Sequence, residues 1–553
     1  MTLRRDFYWI CTCSAHNVIR MTTTVRDATF RLLERHGMKT VFGNPGSNEL
    51  PFLAGLPDDF RYVLGLHEGV VLGMADGYAQ ASGRPAFVSL HAASGTGNAM
   101  GALTNAAISR TPLVISAGQQ VRSTVGMDAM LANGDATLLT RPLTVSSIEP
   151  LTPLDVPRAF SQAIHDAVTA RRGPSYLSVP YDDWDQPAGT CTELLLARTV
   201  TSAGHLGADT VDRLAADLRG ARRPAFVLGS DLDGPVPMDS LVALAEHLDA
   251  AVWAAPSLYR LPFPNRHRLF RGVLPAGIAS ISTALRGHDL VVVLGAPVFR
   301  YHQHEPGPYL AEGTRLVQIT DDPAAAARAP FGEALIADLA AAVRDLASSL
   351  GAPTSPAAEG ARDRYVPSPP AQPGTNGRLS PDEVFAALRD TQPQDTAYVV
   401  ESTSTKAAFR EQMDLRHPGS YYFPASGGLG FGLPAAVGVA LAHPERRVVA
   451  VVGDGSANYG ITALWTAAQL RLPLTFVILR NGTYGALRWF ADLLNTPDVP
   501  GLDVPGIDFV SIAAGYGVPA THVADLTALR KALSCAPDGP RLLEVDTTVT
   551  TTH

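Results

Sequence analysis

Short apolar runs alternate with amphipathic runs along most of the chain, and this alternation limits the folds open to it. In the first set the apolar runs fall at 40–42, 62–66, 85–90, 113–116 and 176–179. Short apolar runs separated by helical stretches are typical of βαβ units, in which helices connect parallel strands. We therefore expect a parallel sheet with helices packed against it.

Two further sets repeat the pattern. The second has strands predicted at 225–228, 251–254, 290–294 and 315–319, and the third at 448–452, 474–479 and 542–545. Between them lies a stretch rich in Pro, Gly, Ala and Ser without periodicity, which is typical of an interdomain linker. The sequence predicts an α/β fold of three doubly wound parallel-sheet domains. The predicted limits are an N-terminal extension at 1–21, domains at 22–195, 196–350 and 379–553, and a linker at 351–378.

The bulk properties exclude several functions. The 553 residues suffice for about three domains, each with its own core. The net charge of -8 argues against nucleic acid as the main partner, and no apolar run is long enough to span a membrane. Four scattered cysteines do not form a disulfide framework, and the Cys11 and Cys13 pair lacks further ligands for a metal. We expect a cytoplasmic protein whose first twenty residues are disordered or follow a misassigned start codon; a targeting segment is the lesser alternative.

Two polar groups follow neighbouring strands of the third set. Asp454 comes directly after the apolar run 448–452, within Gly453, Gly455 and Ser456, and Asn481 follows the run 474–479. Ligands bind α/β sheets at the carboxyl ends of strands, and Mg²⁺ prefers oxygen ligands and phosphate. Asp454, Asn481 and a backbone carbonyl near Thr483 therefore suit a divalent cation that holds a diphosphate. The alternative is a simple turn, with Asp454 as a helix cap.

Three candidates in the first set also end strands. Ser47 follows the run 40–42, Glu68 follows 62–66, and His91 follows 85–90. The ends of parallel strands share one edge of the sheet, so the three side chains can converge there. Taken singly, Ser47 and Glu68 could be helix caps and His91 a turn residue.

Dispersed motifs give the sequence a specific resemblance. They include VFGNPGSNELPFL at 41–53, GTGNAMGAL at 95–103, GAPVFRYHQ at 295–303, GGLGFGLPAA at 427–436 and GDGSANY at 453–459. Over about 22–548 the chain resembles the benzoylformate decarboxylases, a family of thiamine diphosphate enzymes in the superfamily of pyruvate decarboxylase and acetolactate synthase. The segment 453–483 departs from its signature at one point, because Arg480 replaces the first residue of an asparagine pair.

The resemblance implies roles for individual residues. Glu68 matches the glutamate that contacts N1′ of the aminopyrimidine, and Ser47, His91 and His302 match the active-site serine and two histidines; His302 fits the motif better than His304. Asp454, Asn481 and Thr483 match ligands of Mg²⁺ or Ca²⁺. The implied contacts to thiamine diphosphate are Glu68, Thr403, Ser404, Gly427, Leu429, Gly453, Asp454, Gly455, Ser456 and Tyr484.

The resemblance also implies a substrate. The pocket positions are Met130, Leu131, Lys406, Phe423, Pro424, Ala486, Leu487 and Phe490. Phe423 and Phe490 suit an aromatic ring, whereas Met130, Lys406 and Pro424 depart from the family pattern. The implied function is non-oxidative decarboxylation of a 2-keto acid, benzoylformate first, to an aldehyde and CO2, as in mandelate catabolism. The alternatives are a carboligase, a decarboxylase of another 2-keto acid, and an inactive scaffold.

The resemblance further implies an assembly. In this superfamily the cofactor lies between the first domain of one subunit and the third domain of another. We therefore expect a homo-oligomer, a dimer at least and a tetramer by analogy, with a small-molecule substrate and neither nucleic acid nor a membrane as a partner.

Overall fold

The computed structural model describes residues 23–169, 172–202, 204–351 and 366–549. The N-terminal extension, with Cys11 and Cys13, and half of the predicted linker lie outside the described residues. The described chain builds three six-stranded sheets, and all neighbouring strands in them are parallel. Helices connect the strands, so the predicted α/β fold of three parallel-sheet domains is confirmed.

The first sheet has the strand order β2-β1-β3-β4-β6-β5. Its first helix begins with a capping box, because Thr24 accepts a hydrogen bond from the N–H of Asp27 while the Asp27 side chain accepts one from Thr24. The strands are β1 Thr40–Gly43, β2 Arg61–Leu64, β3 Ala86–Leu90, β4 Leu113–Gln119, β5 Ser146–Ile148 and β6 Ser175–Pro180. The helices are α1 Val25–Arg35, α2 Leu50–Leu53, α3 Glu68–Ser82, α4 Ala92–Ile108, α5 Ala136–Thr140, α6 Val156–Val168 and α7 Thr192–Ala197.

The middle sheet has a different order, β12-β11-β10-β7-β8-β9. Its strands are added outward in one direction from β7 to β9 and in the other direction from β10 to β12, so the strand order reverses between β7 and β10. The same reversal occurs in dinucleotide-binding sheets. Its strands are β7 Pro224–Leu228, β8 Ala251–Ala254, β9 Phe270–Val273, β10 Leu290–Leu294, β11 Arg315–Thr320 and β12 Glu333–Ile336. Its helices are α8 Ala208–Gly220, α9 Met238–His247, α10 Ile278–Ala284, α11 Pro323–Arg328 and α12 Leu339–Leu350.

The third sheet repeats the topology of the first, in the order β14-β13-β15-β16-β18-β17. Its first helix begins with a capping box, since Ser380 and Glu383 exchange hydrogen bonds. Its strands are β13 Ala397–Glu401, β14 Tyr421–Tyr422, β15 Val448–Gly453, β16 Leu474–Arg480, β17 Ala520–Val523 and β18 Arg541–Asp546. Its helices are α13 Pro381–Thr391, α14 Lys406–Gln412, α15 Gly432–Ala442, α16 Asp454–Gly460, α17 Ala463–Gln469, α18 Gly485–Leu493, α19 Phe509–Gly515 and α20 Leu526–Ser534.

The first and third domains share one apolar core. Helix α3 of the first packs on α15 of the third so closely that a β-carbon at Gly77 would lie 2.3 Å from the carbonyl oxygen of Ala435. The apolar residues of both helices belong to one buried cluster that also includes strands of both sheets. This shared core fixes the carboxyl edges of the two sheets relative to each other. No helix among the described residues is long and apolar enough to cross a membrane.

The predicted strands agree with the structure to within three residues at each end. Strand β2 ends at Leu64 rather than 66, and two helices, α16 and α17, follow β15. The strands missing from the prediction are β5, β9, β12, β13, β14 and β17. The domain limits themselves stay a prediction.

Candidate active site

The carboxyl ends of β13, β15 and β16 open into a cavity of about 460 Å³. These strands are neighbours in the third sheet, so the residues that follow them meet at one edge. A loop of the middle domain, carrying His302, closes one side. The cavity is lined by seventeen of the residues expected in the site: His302, Thr403, Ser404, Lys406, Phe423, Gly427, Leu429, Gly453, Asp454, Gly455, Ser456, Asn481, Thr483, Tyr484, Ala486, Leu487 and Phe490.

Asp454 organises one end of the cavity. It begins α16 and is buried, and its Oδ2 accepts hydrogen bonds from the N–H groups of Asn481 and Gly482 at 3.0 and 2.6 Å. Burial raises the pKa of Asp454, while those N–H groups act in the opposite direction. The bland alternative, that Asp454 only caps a helix, is incomplete, because its carboxylate also joins the ends of β15 and β16.

The loop after β16 is held from three sides. The Asn481 side-chain oxygen accepts a hydrogen bond from the N–H of Thr483 at 3.0 Å, and Arg488 Nε donates to the Thr483 hydroxyl at 2.6 Å. Arg480, which departs from the family pattern, turns away to Asp546 on the neighbouring strand, at 2.6 Å. The departure therefore leaves Asn481 in place. Sequence reasoning missed Arg488, which nothing in its local pattern distinguishes.

The oxygen donors at this end fit a metal and a diphosphate. A carboxylate, a side-chain amide and the Thr483 carbonyl are ligands that Mg²⁺ accepts, with phosphate oxygens completing its shell. Among the described residues no group of three His, Cys, Asp or Glu side chains forms a metal cluster of another kind. Gly455 leaves room for the ring of Tyr484, since a β-carbon there would lie 2.5 Å from Cε1. Space for a phosphate beside Gly453 is also open, because a β-carbon there would meet no atom closer than 4.0 Å.

The turn that carries Gly427 and Leu429 is anchored by two residues absent from the sequence predictions. Glu401, buried at the end of β13, accepts hydrogen bonds from the N–H groups of Gly430, Phe431 and Gly432 at 2.7 to 3.2 Å. Burial raises the pKa of Glu401, and the three donors oppose that rise.

The other anchor of this turn comes from the first domain. Asn105 of α4 donates to the carbonyl of Gly428 at 2.9 Å and accepts from the N–H and hydroxyl of Ser426 at 3.1 and 2.6 Å. Neither anchor lies close in sequence to the turn, so no local pattern could reveal them.

A second part of the cavity, here called the apolar end, is lined by the aromatic side chains of Phe423 and Phe490. Phe423 stacks on Tyr421 with ring centroids 6.2 Å apart, and the ring of Phe490 meets that of His302 edge to face at 5.2 Å. His304 does not line the cavity, which agrees with the choice of His302. This end suits a planar apolar group beside a histidine. Lys406 lines the same cavity, and burial together with the charge of Arg410 lowers its pKa to about 8.

Ser47, Glu68 and His91 also converge, at the edge of the first sheet. His91 Nδ1 lies 2.9 Å from Oε2 of Glu49, and a β-carbon at Gly46 would lie 2.1 Å from that nitrogen. Glu49, which sequence reasoning passed over, is buried and also accepts hydrogen bonds from two backbone N–H groups. Gly46, which precedes the exposed Ser47, therefore lies in direct contact with the ring of His91.

Glu68 lies on the other side of the same histidine. A β-carbon at Gly95 would lie 3.0 Å from Glu68 Oε1 and 3.2 Å from His91 Cβ, so the glycine separates the two side chains. Glu68 is 8% exposed and accepts a hydrogen bond from Asn98 at 3.1 Å. It does not cap its helix, because His67 holds that position.

The two clusters do not form one site within a single chain. Every residue that lines the cavity comes from the middle or third domain, and none from the first. Ser47, Glu68 and His91 lie outside it, as do Met130, Leu131 and Pro424. Met130 is 85% exposed. The structure thus presents two half-sites, one at the carboxyl edge of each of two sheets with the same topology.

Comparison with known families agrees with this division. The sequence matches the N-terminal thiamine pyrophosphate (TPP) binding domain of thiamine pyrophosphate enzymes over 23–137, their central domain over 211–362 and their C-terminal TPP binding domain over 402–545. The half-site of the first domain falls in the N-terminal match, and the cavity falls in the C-terminal match except for His302, which lies in the central match.

Individual relatives are similar over nearly their whole length. The chain is 57% identical to benzoylformate decarboxylase of Pseudomonas aeruginosa, over 95% of this chain and 99% of that protein. It is 27% identical to an acetolactate synthase large subunit of Escherichia coli, over 95% and 94%. Among solved structures, 4-hydroxybenzoylformate decarboxylase of Rhodococcus jostii aligns with a TM-score of 0.91 at 54% identity, covering 96% of this chain and all of that one. Benzoylformate decarboxylase of Polynucleobacter necessarius aligns with a TM-score of 0.89 at 37% identity, covering 95% and 98%.

Proposed function

The chain belongs to the thiamine pyrophosphate enzyme family, and from that premise we propose that it is a carboxy-lyase converting benzoylformate to benzaldehyde and CO2. The observation that carries the proposal is the cavity itself. Oxygen ligands for a metal and diphosphate lie at one end, at Asp454 and Asn481, and an aromatic pocket with His302 lies at the other. The 57% identical relative is named for this activity, which supports the choice of substrate.

Thiamine diphosphate and a divalent cation fit the residues of the third domain. Asp454, Asn481 and the Thr483 carbonyl would hold Mg²⁺, or Ca²⁺ in its place, and the metal would hold the diphosphate. Thr403, Ser404, Ser456 and the backbone around Gly455 border the same end of the cavity. Gly427 and Leu429 border the space that the two rings of the cofactor would occupy. When bound, the cofactor supplies the electron sink for the bond that breaks.

The chain's own side chains supply proton transfer and orientation. Glu68 is buried and bears one hydrogen bond from a side chain, so it retains acceptor capacity with which to hold the proton on N1′ of the aminopyrimidine. His91 and His302 are suited to deliver the proton that replaces the carboxylate on the carbonyl carbon, since imidazole exchanges protons near neutral pH. Ser47, exposed beside His91, can donate its hydroxyl proton to an oxygen of the substrate.

These roles require two chains. We infer that the first domain of one subunit closes the cavity of another, because Glu68 and the cavity are separate within one chain. Both domains expose large apolar side chains: Leu66, Met127, Met130 and Leu138 in the first, and Tyr459, Leu487, Leu493 and Leu494 in the third. Exposed apolar surface of this kind is typical of subunit interfaces. A homodimer is the smallest assembly that satisfies this arrangement, and we propose a homotetramer made of two such dimers. We further propose that the enzyme acts in the cytoplasm, in aromatic catabolism of the mandelate type.

A panel of 2-keto acids tests the substrate. The protein loaded with thiamine diphosphate and Mg²⁺ is given benzoylformate, pyruvate and indolepyruvate in turn, and CO2 and aldehyde are measured. We expect the highest kcat/KM for benzoylformate, because Phe423 and Phe490 favour an aryl ring. A higher kcat/KM for pyruvate would overturn the assignment of benzoylformate as the preferred substrate. The same reactions with added acetaldehyde measure carboligation, which we expect to be the slower reaction; hydroxyketone as the main product without added aldehyde would favour a carboligase instead.

A further inference from the structure

Lys406 is an unusual residue for its surroundings. The chain has three lysines, at positions 39, 406 and 531, against 41 arginines. Lys39 and Lys531 are at the surface, where Lys39 pairs with Asp59 and Glu34. Lys406 instead begins α14 and lines the active-site cavity, where it is the one ammonium or guanidinium group among the described lining residues.

Helix α14, which Lys406 begins, packs against the aromatic wall of the cavity. Phe409 follows Lys406 by three residues, so the two side chains are neighbours on the helix surface. Phe409 packs on Tyr421 at 5.7 Å between ring centroids, and Tyr421 stacks on Phe423 of the cavity wall. Lys406 thus begins the helix that supports the aromatic pocket.

No group among the described residues of this chain neutralises Lys406. It forms neither an ion pair nor a hydrogen bond with any residue in the described ranges, and Arg410, the charged residue that affects it most, is also positive. A partly buried cation without a partner is unfavourable, and the cost falls when an oxygen acceptor binds beside it. Benzoylformate has oxygens only at its reacting 2-keto acid group. Its unsubstituted ring therefore offers Lys406 no hydrogen-bond acceptor.

We propose that Lys406 is a specificity-determining residue that binds an oxygen on the aromatic ring of the substrate. The favoured substrates are then arylglyoxylates whose ring bears a hydroxyl or a carboxylate. This inference rests on the proposed function, because it names the ring substituent of the same class of substrate. Thr403 and Ser404 precede Lys406 in the chain and border the diphosphate end, so the rival role of Lys406 is a contact to the diphosphate.

Substituted benzoylformates of matched shape test the proposal. The holoenzyme is assayed with 4-hydroxy-, 4-carboxy- and 4-methylbenzoylformate, the methyl group matching the hydroxyl in size. In Lys406→Met we expect kcat/KM for the hydroxy or carboxy substrate, relative to the methyl one, to fall about 10- to 100-fold, as for a lost charge-assisted hydrogen bond. Lys406→Arg should retain most of the preference, and Lys531→Met, at the surface, should retain all of it. The hydroxy and carboxy arms show which oxygen is recognised.

A binding measurement separates this inference from the proposed function. The corresponding 4-substituted mandelates cannot lose CO2, so their Kd values report recognition of the ring whether or not decarboxylation occurs. The 4-methyl to oxygen-substituted Kd ratio should fall at least about tenfold in Lys406→Met. An unchanged ratio overturns the inference even if benzoylformate is decarboxylated. Weaker thiamine diphosphate binding in Lys406→Met, with equal losses for all substrates, also overturns it and assigns the lysine to the diphosphate.

Discussion

Two buried carboxylates flank His91, and their hydrogen bonds divide their roles. Glu49 accepts from the His91 ring and from the N–H groups of Gly46 and Gly118, so its lone pairs are largely occupied. Because Glu49 contacts Nδ1 of His91, Nε2 is the ring nitrogen that remains for the substrate. Glu68, with one side-chain donor, is the carboxylate that remains available to the cofactor.

Removal of the Glu68 charge should therefore abolish most activity without unfolding the protein. In Glu68→Gln we expect kcat to fall at least about 100-fold, the range of a lost acid–base group, with unchanged circular dichroism. Glu193→Gln, at the surface of α7, is the matched control and should be fully active. Full activity in Glu68→Gln would refute the assignment.

Asp76 gives the fold a dependence on pH. It is buried in α3, its Oδ1 accepts from Thr111 and Gln80, and its Oδ2 has no hydrogen-bond partner within the described structure. Burial raises the pKa of Asp76 to about 6, against the lowering effect of those hydrogen bonds. A raised pKa in the folded state means that the protonated form stabilises the fold. This contribution is complete below about pH 4 and is lost as the pH rises through 6.

Asp76→Asn should remove this dependence. The free energy of unfolding of the wild type minus that of the variant should decrease by about 2 kcal/mol between pH 4.5 and pH 8, because the folded-state pKa of Asp76 is about 6 and its ordinary value is 3.8. Urea unfolding at both pH values measures it, with the exposed Asp58→Asn as control. An equal difference at the two pH values would contradict the prediction.

At the scale of elements, strand ends were predictable and their supports were not. The central strands are continuous apolar runs, so Asp454, Asn481, Glu68 and His91 could be located from sequence as residues that follow them. Edge strands such as β14, with two residues, carry too few positions for a pattern. The anchors of the 426–432 turn are long-range contacts, and Asn105 precedes that turn by more than 300 residues. Contacts between residues so far apart in sequence depend on how the first and third domains pack together. Local sequence patterns do not predict that packing.

The anchored turn yields a prediction for Asn105. Asn105→Ala removes three hydrogen bonds to the turn that carries Gly427, and thereby frees the wall on which the cofactor would rest. We expect the Kd for thiamine diphosphate to rise about tenfold or more, since each lost hydrogen bond costs about 1 kcal/mol. Isothermal titration measures it. Gln162→Ala deletes an exposed amide from α6 and should leave the Kd unchanged; an equal Kd in Asn105→Ala would show that the turn holds itself.

At the scale of the whole molecule, the first and third sheets share one topology and each carries a half-site, while the middle sheet has a different topology. The first and third sheets share one strand order and one apolar core, yet their carboxyl-edge residues do not meet in one chain. The sequence resemblance implied this division before any contact was visible. The association of two copies depends on which side chains are exposed. Sequence periodicity does not give that exposure, whereas the structure does.

Mixing two inactive variants tests the shared site. Glu68→Gln and Asp454→Ala damage different half-sites, so a mixed dimer contains one intact site and one doubly damaged site. Random exchange should restore about a quarter of wild-type activity, because about half the dimers are mixed and each has one working site. Each variant alone is the control. If the mixture stays as inactive as its components although mixed dimers are present, the site lies within one chain.

The most direct test of the central claim is the product balance with benzoylformate. The purified protein, freed of metal and cofactor by a chelator and dialysis, is assayed with and without thiamine diphosphate and Mg²⁺. We predict benzaldehyde and CO2 in equal amounts when both are present, and loss of at least about 99% of the rate when either is omitted, because residues such as Glu68 and Asp454 act only through the bound group. Release of no CO2, or the same rate without thiamine diphosphate, would contradict the account.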